Sequence, residues 1–101
     1  RDYTYIGDVV DATIKALETP LGFEIINIGN SSPVSLKELL STFEKVTGAR
    51  AKVKSRPSHS ASVEETYADV TKAWKLLDWK PTTSLEDGIG RLVEWFRAKR
   101  L

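Results

Sequence analysis

An arginine and an aspartate stand side by side at the start of this 101-residue chain, in RDYTYI. A guanidinium at the start of a short strand can grip a phosphate or a carboxylate through paired N–H donors. The alternative for Arg1 is a solvated side chain. A second candidate pair, Arg56 and His59, lies in RPSHSASVEE (residues 56–65), the one long irregular stretch. Such loops are where a rigid scaffold holds binding residues. No Asp or Cys near His59 supplies a triad or a metal-ligand spacing, so a surface histidine is the alternative there. Ser58, Ser60 and Ser62 would need an activating base to act as nucleophiles, and none accompanies them. GNSS (residues 29–32) puts a glycine between a strand and a helix, but its spacing fits neither the dinucleotide fingerprint nor the P-loop. A capped βα turn accounts for it. Local chemistry therefore predicts a binding loop and no catalytic constellation.

The elements that must position these groups follow from the hydrophobic pattern. Tyr3 and Tyr5 alternate with Thr4 and lead into Ile6, which predicts a short strand stopped by Gly7. Asp8 reads as the N-cap of a helix to Glu18, ended by Thr19-Pro20. Asp8, Asp11, Lys15 and Glu18 form one narrow polar stripe on that helix. Val9, Val10, Ala12, Ile14, Ala16 and Leu17 leave the rest apolar or small, and so wide an apolar surface needs partners on more than one side. FEIINI (residues 23–28), rich in β-branched residues between two glycines, reads as a buried strand. Ser35 with Glu38 is a capping box that opens a helix whose face is Leu36, Leu39, Leu40, Phe43 and Val46 and whose C-cap is Gly48. Residues 51–54 read as a further strand. The fold class is thus α/β, a small domain with a parallel βαβ unit, a right-handed crossover and about four helices. Asp69 caps a third helix carrying Val70, Ala73, Trp74 and Leu77. Ser84 and Asp87 open the last, with Leu85, Ile89, Leu92, Val93 and Phe96 on one face and Arg97, Lys99 and Arg100 near its C-terminus. Trp74, Trp79, Trp95 and Phe96 read as core or interface rather than as a base-stacking platform.

The length allows one domain over residues 1–101. An apolar fraction of 41% with 29% charged residues excludes a disordered chain. A net charge of +1 is too small for a field that draws nucleic acid or a membrane surface. The absence of cysteine excludes thiolate chemistry and takes the commonest soft ligand from any metal site. No apolar run reaches the ~18–20 residues of a membrane span, and no signal-peptide pattern opens the chain. A cytoplasmic domain is the expectation.

Four segments, in order, carry a family likeness. RDYTYIGDVVDA is similar to R-D-[FY]-x-[YH]-[IV]-x-D-[VA]. FEIINIGNSSPVSLKELL is similar to YNIG-x-G-x-x-x-S-[IV]-x-E-L. ETYADVTKAWKLLDWKPTTSLEDGI is close to TYAD-x-[ST]-KA-x-x-LGW-x-P-x-[TV]-x-[LF]-x-x-G-[IL], and LVEWFRAKR resembles a V-x-W-[FY] tail. Together they resemble the C-terminal portion of the extended short-chain dehydrogenase/reductases, the NAD-dependent nucleotide-sugar epimerases and dehydratases. UDP-glucose and UDP-glucuronate 4-epimerases are the nearest subgroup.

The resemblance implies a substrate-binding portion that is not catalytically competent alone, the N-terminal Rossmann domain being absent. In the family that domain holds NAD through a G-x-x-G-x-x-G turn, and a Y-x-x-x-K pair transfers protons. Neither pattern occurs here. The six glycines lack that spacing, and Gly7, Val9 and Thr71 stand four places after Tyr3, Tyr5 and Tyr67. No cofactor is therefore expected on this chain alone, NAD belonging to the full-length family. Arg1 matches the arginine that contacts the diphosphate. In the family a second arginine and an aspartate, in an R-P-G-D loop before TYAD, contact phosphate and ribose. Counting back from Thr66 puts His59 and Ser62 in their places, or Arg56 is the arginine across a loop three residues longer. The R-x-x-H-P-A-D form of some relatives matches Arg56, His59 and Ala61 without a gap. Either way serine replaces the aspartate, and a neutral imidazole binds phosphate less well than a guanidinium near pH 7. The expected site is Arg1, Arg56, His59 and Ser62, taking a UDP-sugar that is held weakly or lost in isolation. The helix over residues 8–18, uncovered without the Rossmann domain, is expected to recruit a second copy and give a homodimer or higher oligomer. The alternative is a non-enzymatic, self-associating domain derived from such an enzyme.

Overall fold

In the computed structural model, which describes residues 1–99, four helices succeed one another: α1 (Ile6–Glu18), α2 (Leu36–Thr47), α3 (Thr71–Leu77) and α4 (Leu85–Lys99). Arg100, expected near the end of the last helix, lies outside the described residues. The ends of α2 follow from local sequence. The Ser35 hydroxyl accepts from the Glu38 amide at 3.1 Å, and Gly48 closes the helix at φ 72°, a conformation that favours glycine. At α4 the Ser84 hydroxyl likewise accepts from the Asp87 amide at 3.1 Å. α2 packs on α4, with a Lys45–Glu86 ion pair of 3.0 Å on the outside, and α1 packs on α3. The core sits beside α1 and α3: Ala12, Ala73, Leu77 and Trp79, with Leu21, Ile26, Ile28 and Val70 around them.

Three strand expectations and two caps need correction. Among the described residues there is no strand, so the parallel βαβ unit over residues 23–54 is not formed. Residues 3–5 run straight into α1, and a strand exists only through the ladder it makes with a neighbour. FEIINI nevertheless keeps its alternation: Ile26 and Ile28 pack on the core while Phe23 and Ile25 stand 86% and 75% exposed. The Lys72 ammonium donates to the Ile25 carbonyl at 2.9 Å and pairs with Glu24 at 2.6 Å. α3 starts one residue later than a cap at Asp69 requires. Val70 takes the N-cap place, and the Asp69 carboxylate accepts from the Thr71 hydroxyl and amide at 2.6 and 3.0 Å, bonds that hold its carboxyl below the ordinary range.

Asp8 is not the N-cap of α1 either. The helix begins two residues earlier, after Tyr5, and Asp8 sits in its first turn at 4% exposure. Its carboxylate reaches across to Thr82 and Thr83, just ahead of α4. Oδ2 accepts from the Thr82 and Thr83 amides at 3.1 and 3.0 Å, and Oδ1 from their two hydroxyls, each at 3.1 Å. The Trp79 indole N–H donates to the Asp8 carbonyl at 2.9 Å. Burial favours the protonated acid, but the four donors outweigh it and hold the carboxyl below its ordinary range.

That contact decides which way α1 faces. Asp8 and Ala12 point inward, and Lys15 donates to the Asp78 carbonyl at 2.7 Å, so half of the polar stripe is turned toward the chain. Ile6 (71%), Val10, Ile14 and Leu17 (82%) are left on the outer side. The accessible surface is 8073 Å², where a compact domain of this mass exposes ~5,700 Å². The radius of gyration is 16.1 Å, against ~13 Å for a compact chain of this length. The uncovered stripe of α1 and the wholly exposed residues 48–65 account for that openness in kind. No helix among the described residues is long and apolar enough to cross a membrane.

Asp8→Asn is expected to lower stability at neutral pH by ~2–3 kcal/mol, because two amides and two hydroxyls lose their anionic acceptor. With the folded pKa depressed, the Asp8 contribution is complete above the unfolded carboxylate value of ~3.9 and is lost as the pH falls through the lower folded value. Urea unfolding of the two proteins should therefore converge on acidification. A gap that stays constant from pH 7 down to about pH 2 refutes the assignment.

Candidate functional site

Residues 1 and 2 are bonded to distant segments. The Arg1 amino group donates to the Val34 carbonyl at 2.9 Å, and the Arg1 carbonyl accepts from the Val34 amide at 2.8 Å. The Asp2 amide donates to the Thr66 hydroxyl oxygen at 2.8 Å. The Asp2 carboxylate gathers four amides: Oδ2 accepts from Asn30, Ser31 and Ala68 at 3.2, 3.0 and 3.1 Å, and Oδ1 from Ser32 at 3.1 Å. Successive amides that converge in this way make an anion-binding concavity. Here the anion is part of the same chain.

GNSS is a turn, as its spacing implied, and the structure adds what it turns around. Ser31 adopts φ 50°, which aims the neighbouring amides at one point, and its hydroxyl donates to the Ala68 carbonyl. Gly29 is required by close approach. A Cβ there would overlap that of Ala68 and lie 2.8 Å from Asp2 Oδ2. Because these amides already hold Asp2, this turn does not fit a dinucleotide pyrophosphate.

The four residues expected at the site are all exposed. Among the described residues Arg1 is bonded through its main chain only. Arg56, His59 and Ser62 lie on the 48–65 stretch, where the Ser62 amide donates to the His59 carbonyl at 2.9 Å and the Ala61 amide to His59 Nδ1 at 3.1 Å. Nδ1 is thus an acceptor within that turn. His59 and Ser62 therefore share one turn, while no bond among the described residues joins Arg1 to Arg56. What links Arg1 to the loop is Asp2, since Thr66 and Ala68 stand just beyond the loop's C-terminal end. Sequence reasoning missed Asp2 and Thr66. Their only signals were an acid beside Arg1 and the threonine of TYAD, neither of which names its partner. No cluster of His, Asp and Glu suited to a metal ion occurs among the described residues.

Two grooves lie elsewhere, and none of the four residues lines either. One, of about 540 Å³, runs between α1 and residues 74–82, where the Lys80 ammonium lies 5.5 Å from the centre of the Trp74 ring. The other, of about 760 Å³, is apolar and lies between α2 and α4, with Arg91 stacked 5.2 Å from the centre of the Tyr5 ring. Trp79 is core, whereas Trp74 and Trp95 stand half exposed in these grooves.

Residues 1–92 match the family described as GDP-mannose 4,6 dehydratase, and the chain belongs to that family, of the NAD-dependent epimerase/dehydratase type of short-chain dehydrogenase/reductases. It is 44% identical over 96 residues to UDP-glucuronate 4-epimerase of Thermodesulfobacterium geofontis, a match that covers 94% of this chain and 29% of that protein. It superposes on UDP-glucuronic acid 4-epimerase from Bacillus cereus in complex with UDP-glucuronic acid and NAD with a TM-score of 0.91 and 36% identity, over 98% of this chain and 32% of the other. The UDP-glucose 4-epimerase of Thermotoga maritima with UDP-glucose gives a TM-score of 0.91 and 34% identity, over 100% of this chain and 32% of the other. The chain thus spans less than a third of the length of these relatives and has the fold of the matching part of the two solved enzymes.

Gly29→Ala is expected to cost ~1–3 kcal/mol in urea unfolding, since the methyl group displaces either Ala68 or the Asp2 carboxylate. Gly90→Ala is the control. Its Cβ meets nothing within 4 Å in the interior of α4, so that change should stabilise by ~0.5–1 kcal/mol. Equal effects of the two would show that the close approach at Gly29 is not what matters.

Proposed function

We propose that this chain is the C-terminal, nucleotide-sugar-binding portion of a cytoplasmic UDP-sugar 4-epimerase, with Arg1 and Arg56 as the cations that meet the diphosphate. His59 and Ser62 stand beside them on the loop. The observation that supports this most is the superposition on an enzyme solved with UDP-glucuronic acid and NAD, 36% identical over nearly all of this chain. The geometry agrees with it. Both guanidinium groups are exposed, and Arg1 is fixed at its backbone, so its charge is available to an anion without the chain having to order itself first. A serine at position 62 offers ribose a neutral hydroxyl instead of an anionic acceptor, which makes the hold on the nucleoside weak. NAD and the proton-transferring pair belong, on this reading, to residues outside this chain.

The outer face of α1 favours a second reading beside the first. Ile6, Val10, Ile14 and Leu17 form an apolar stripe with nothing over it, and a stripe of that kind recruits a partner. As a stand-alone domain the chain would cover it with a second copy and need bind no nucleotide.

Calorimetric titration with UDP and UDP-sugars separates the two. Saturable binding, weakened about tenfold by Arg1→Ala and by Arg56→Ala, is expected from the first reading. No binding at millimolar ligand, together with a stable oligomer, would establish the second instead. Sedimentation at ~100 μM should show a dimer or larger species that Leu17→Glu dissociates. A monomer at that concentration would sink the self-association.

A further inference from the structure

We infer that Asp2 is a positioning residue for the diphosphate, fixing where the Arg1 guanidinium stands relative to the 56–65 loop; the inference rests on the ligand class proposed above. Asp2 joins the two sides of the candidate site. Its neighbour in the chain is Arg1, and its amide and carboxylate bond Thr66 and Ala68, where the exposed stretch rejoins the fold. Through Asn30, Ser31 and Ser32 the same carboxylate is anchored to the turn that precedes α2. Two guanidinium groups can clamp one diphosphate only if their spacing is set beforehand, since each otherwise gives up rotamer freedom on binding.

The second consequence is electrostatic. A carboxylate beside an arginine ordinarily pairs with it and cancels its charge. Here four backbone amides hold the Asp2 carboxylate, three on Oδ2 and one on Oδ1, and no ion pair joins it to Arg1 among the described residues, so the Arg1 charge remains for a ligand. Asp2 thus acts on the ligand only through Arg1 and the loop.

The test is titration of UDP into the full chain and its Asp2→Asn, Thr66→Val and Arg1→Ala variants, at a temperature where circular dichroism finds each folded. Asp8→Asn serves as the control, because it removes an equally bonded carboxylate that contacts no part of the candidate site. Asp2→Asn should weaken UDP about tenfold and Thr66→Val, which removes one neutral bond and leaves the carboxylate, about threefold. In the Arg1→Ala background Asp2→Asn should add less than about twofold, and Asp8→Asn should stay within about twofold of the unaltered chain. Losses for Asp2→Asn no larger than for Asp8→Asn, or losses that multiply with those of Arg1→Ala, overturn the positioning role. If Asp2→Asn does not fold, Thr66→Val decides by the same criteria. Weakening by Arg1→Ala without weakening by Asp2→Asn or Thr66→Val overturns this inference alone, whereas an unaltered chain that binds no UDP overturns the proposed ligand as well.

Discussion

The Asp8 carboxylate, held by the amides and hydroxyls of Thr82 and Thr83, is the contact on which the arrangement of the helices depends. Among the described residues only five apolar side chains are buried, Ala12, Ala73, Leu77, Trp79 and Ile89, and two of those are alanines. So small a core leaves the relative placement of helices underdetermined. A buried charge does not, because it is tolerated only where every lone pair is satisfied, and that condition is met in one geometry. The Trp79 indole on the Asp8 carbonyl extends the same junction into the core. Asp2 repeats the device one turn of chain earlier, with backbone amides in place of threonines. Two acids in an eight-residue segment thus tie α1 to α3, to the α4 entry and to the turn before α2.

How much of this the sequence discloses depends on how far apart the partners lie. The caps at Ser35, Gly48 and Ser84 were legible because each bond closes within a few residues, and residue type with spacing specifies it. The same reasoning mistook Asp8 for a cap, since an acid ahead of a helical pattern has a local use that looks sufficient. Its real partners are 74 and 75 residues away. The strands failed for a related reason. FEIINI has the composition and the alternation of a strand, and its inward face packs as a strand's would, but the ladder requires a second segment that this chain does not place beside it. The loop over residues 56–65 reads as irregular, which it is, and the structure adds that it is exposed. Its connection to Arg1 through Asp2 was not readable, because an aspartate that binds four amides carries no pattern that distinguishes it from a solvated one.

Placing the Asp8 contact on the inner side of α1 also determines what lies outside. Sequence already showed a helix with too much apolar surface for one neighbour. The structure turns Asp8 and Lys15 toward the chain and leaves the isoleucine–valine–leucine side to the surroundings. In relatives more than three times as long there is ample chain to meet such a face, and in a lone chain a second copy has the right chemistry. The nucleotide-sugar reading and the self-association reading therefore draw on opposite sides of the same segment, residue 1 at one end and the stripe of α1 just beyond it.

The bonds of Asp2 and Asp8 have a consequence for the order in which the chain takes shape. Their partners lie 28 to 75 residues downstream. At a synthesis rate of ~5–20 residues per second, the acids leave the ribosome roughly 1 to 15 seconds before the threonines and amides that will hold them. During that interval α2 can form on its own caps, whereas α1 can be neither oriented nor covered, because no local bond tells its two faces apart. Long-range closures of this kind are slow compared with helix formation. The first eight residues of the chain are therefore among the last to find their places, and its first helix spends that time with its apolar side open to whatever else is nearby.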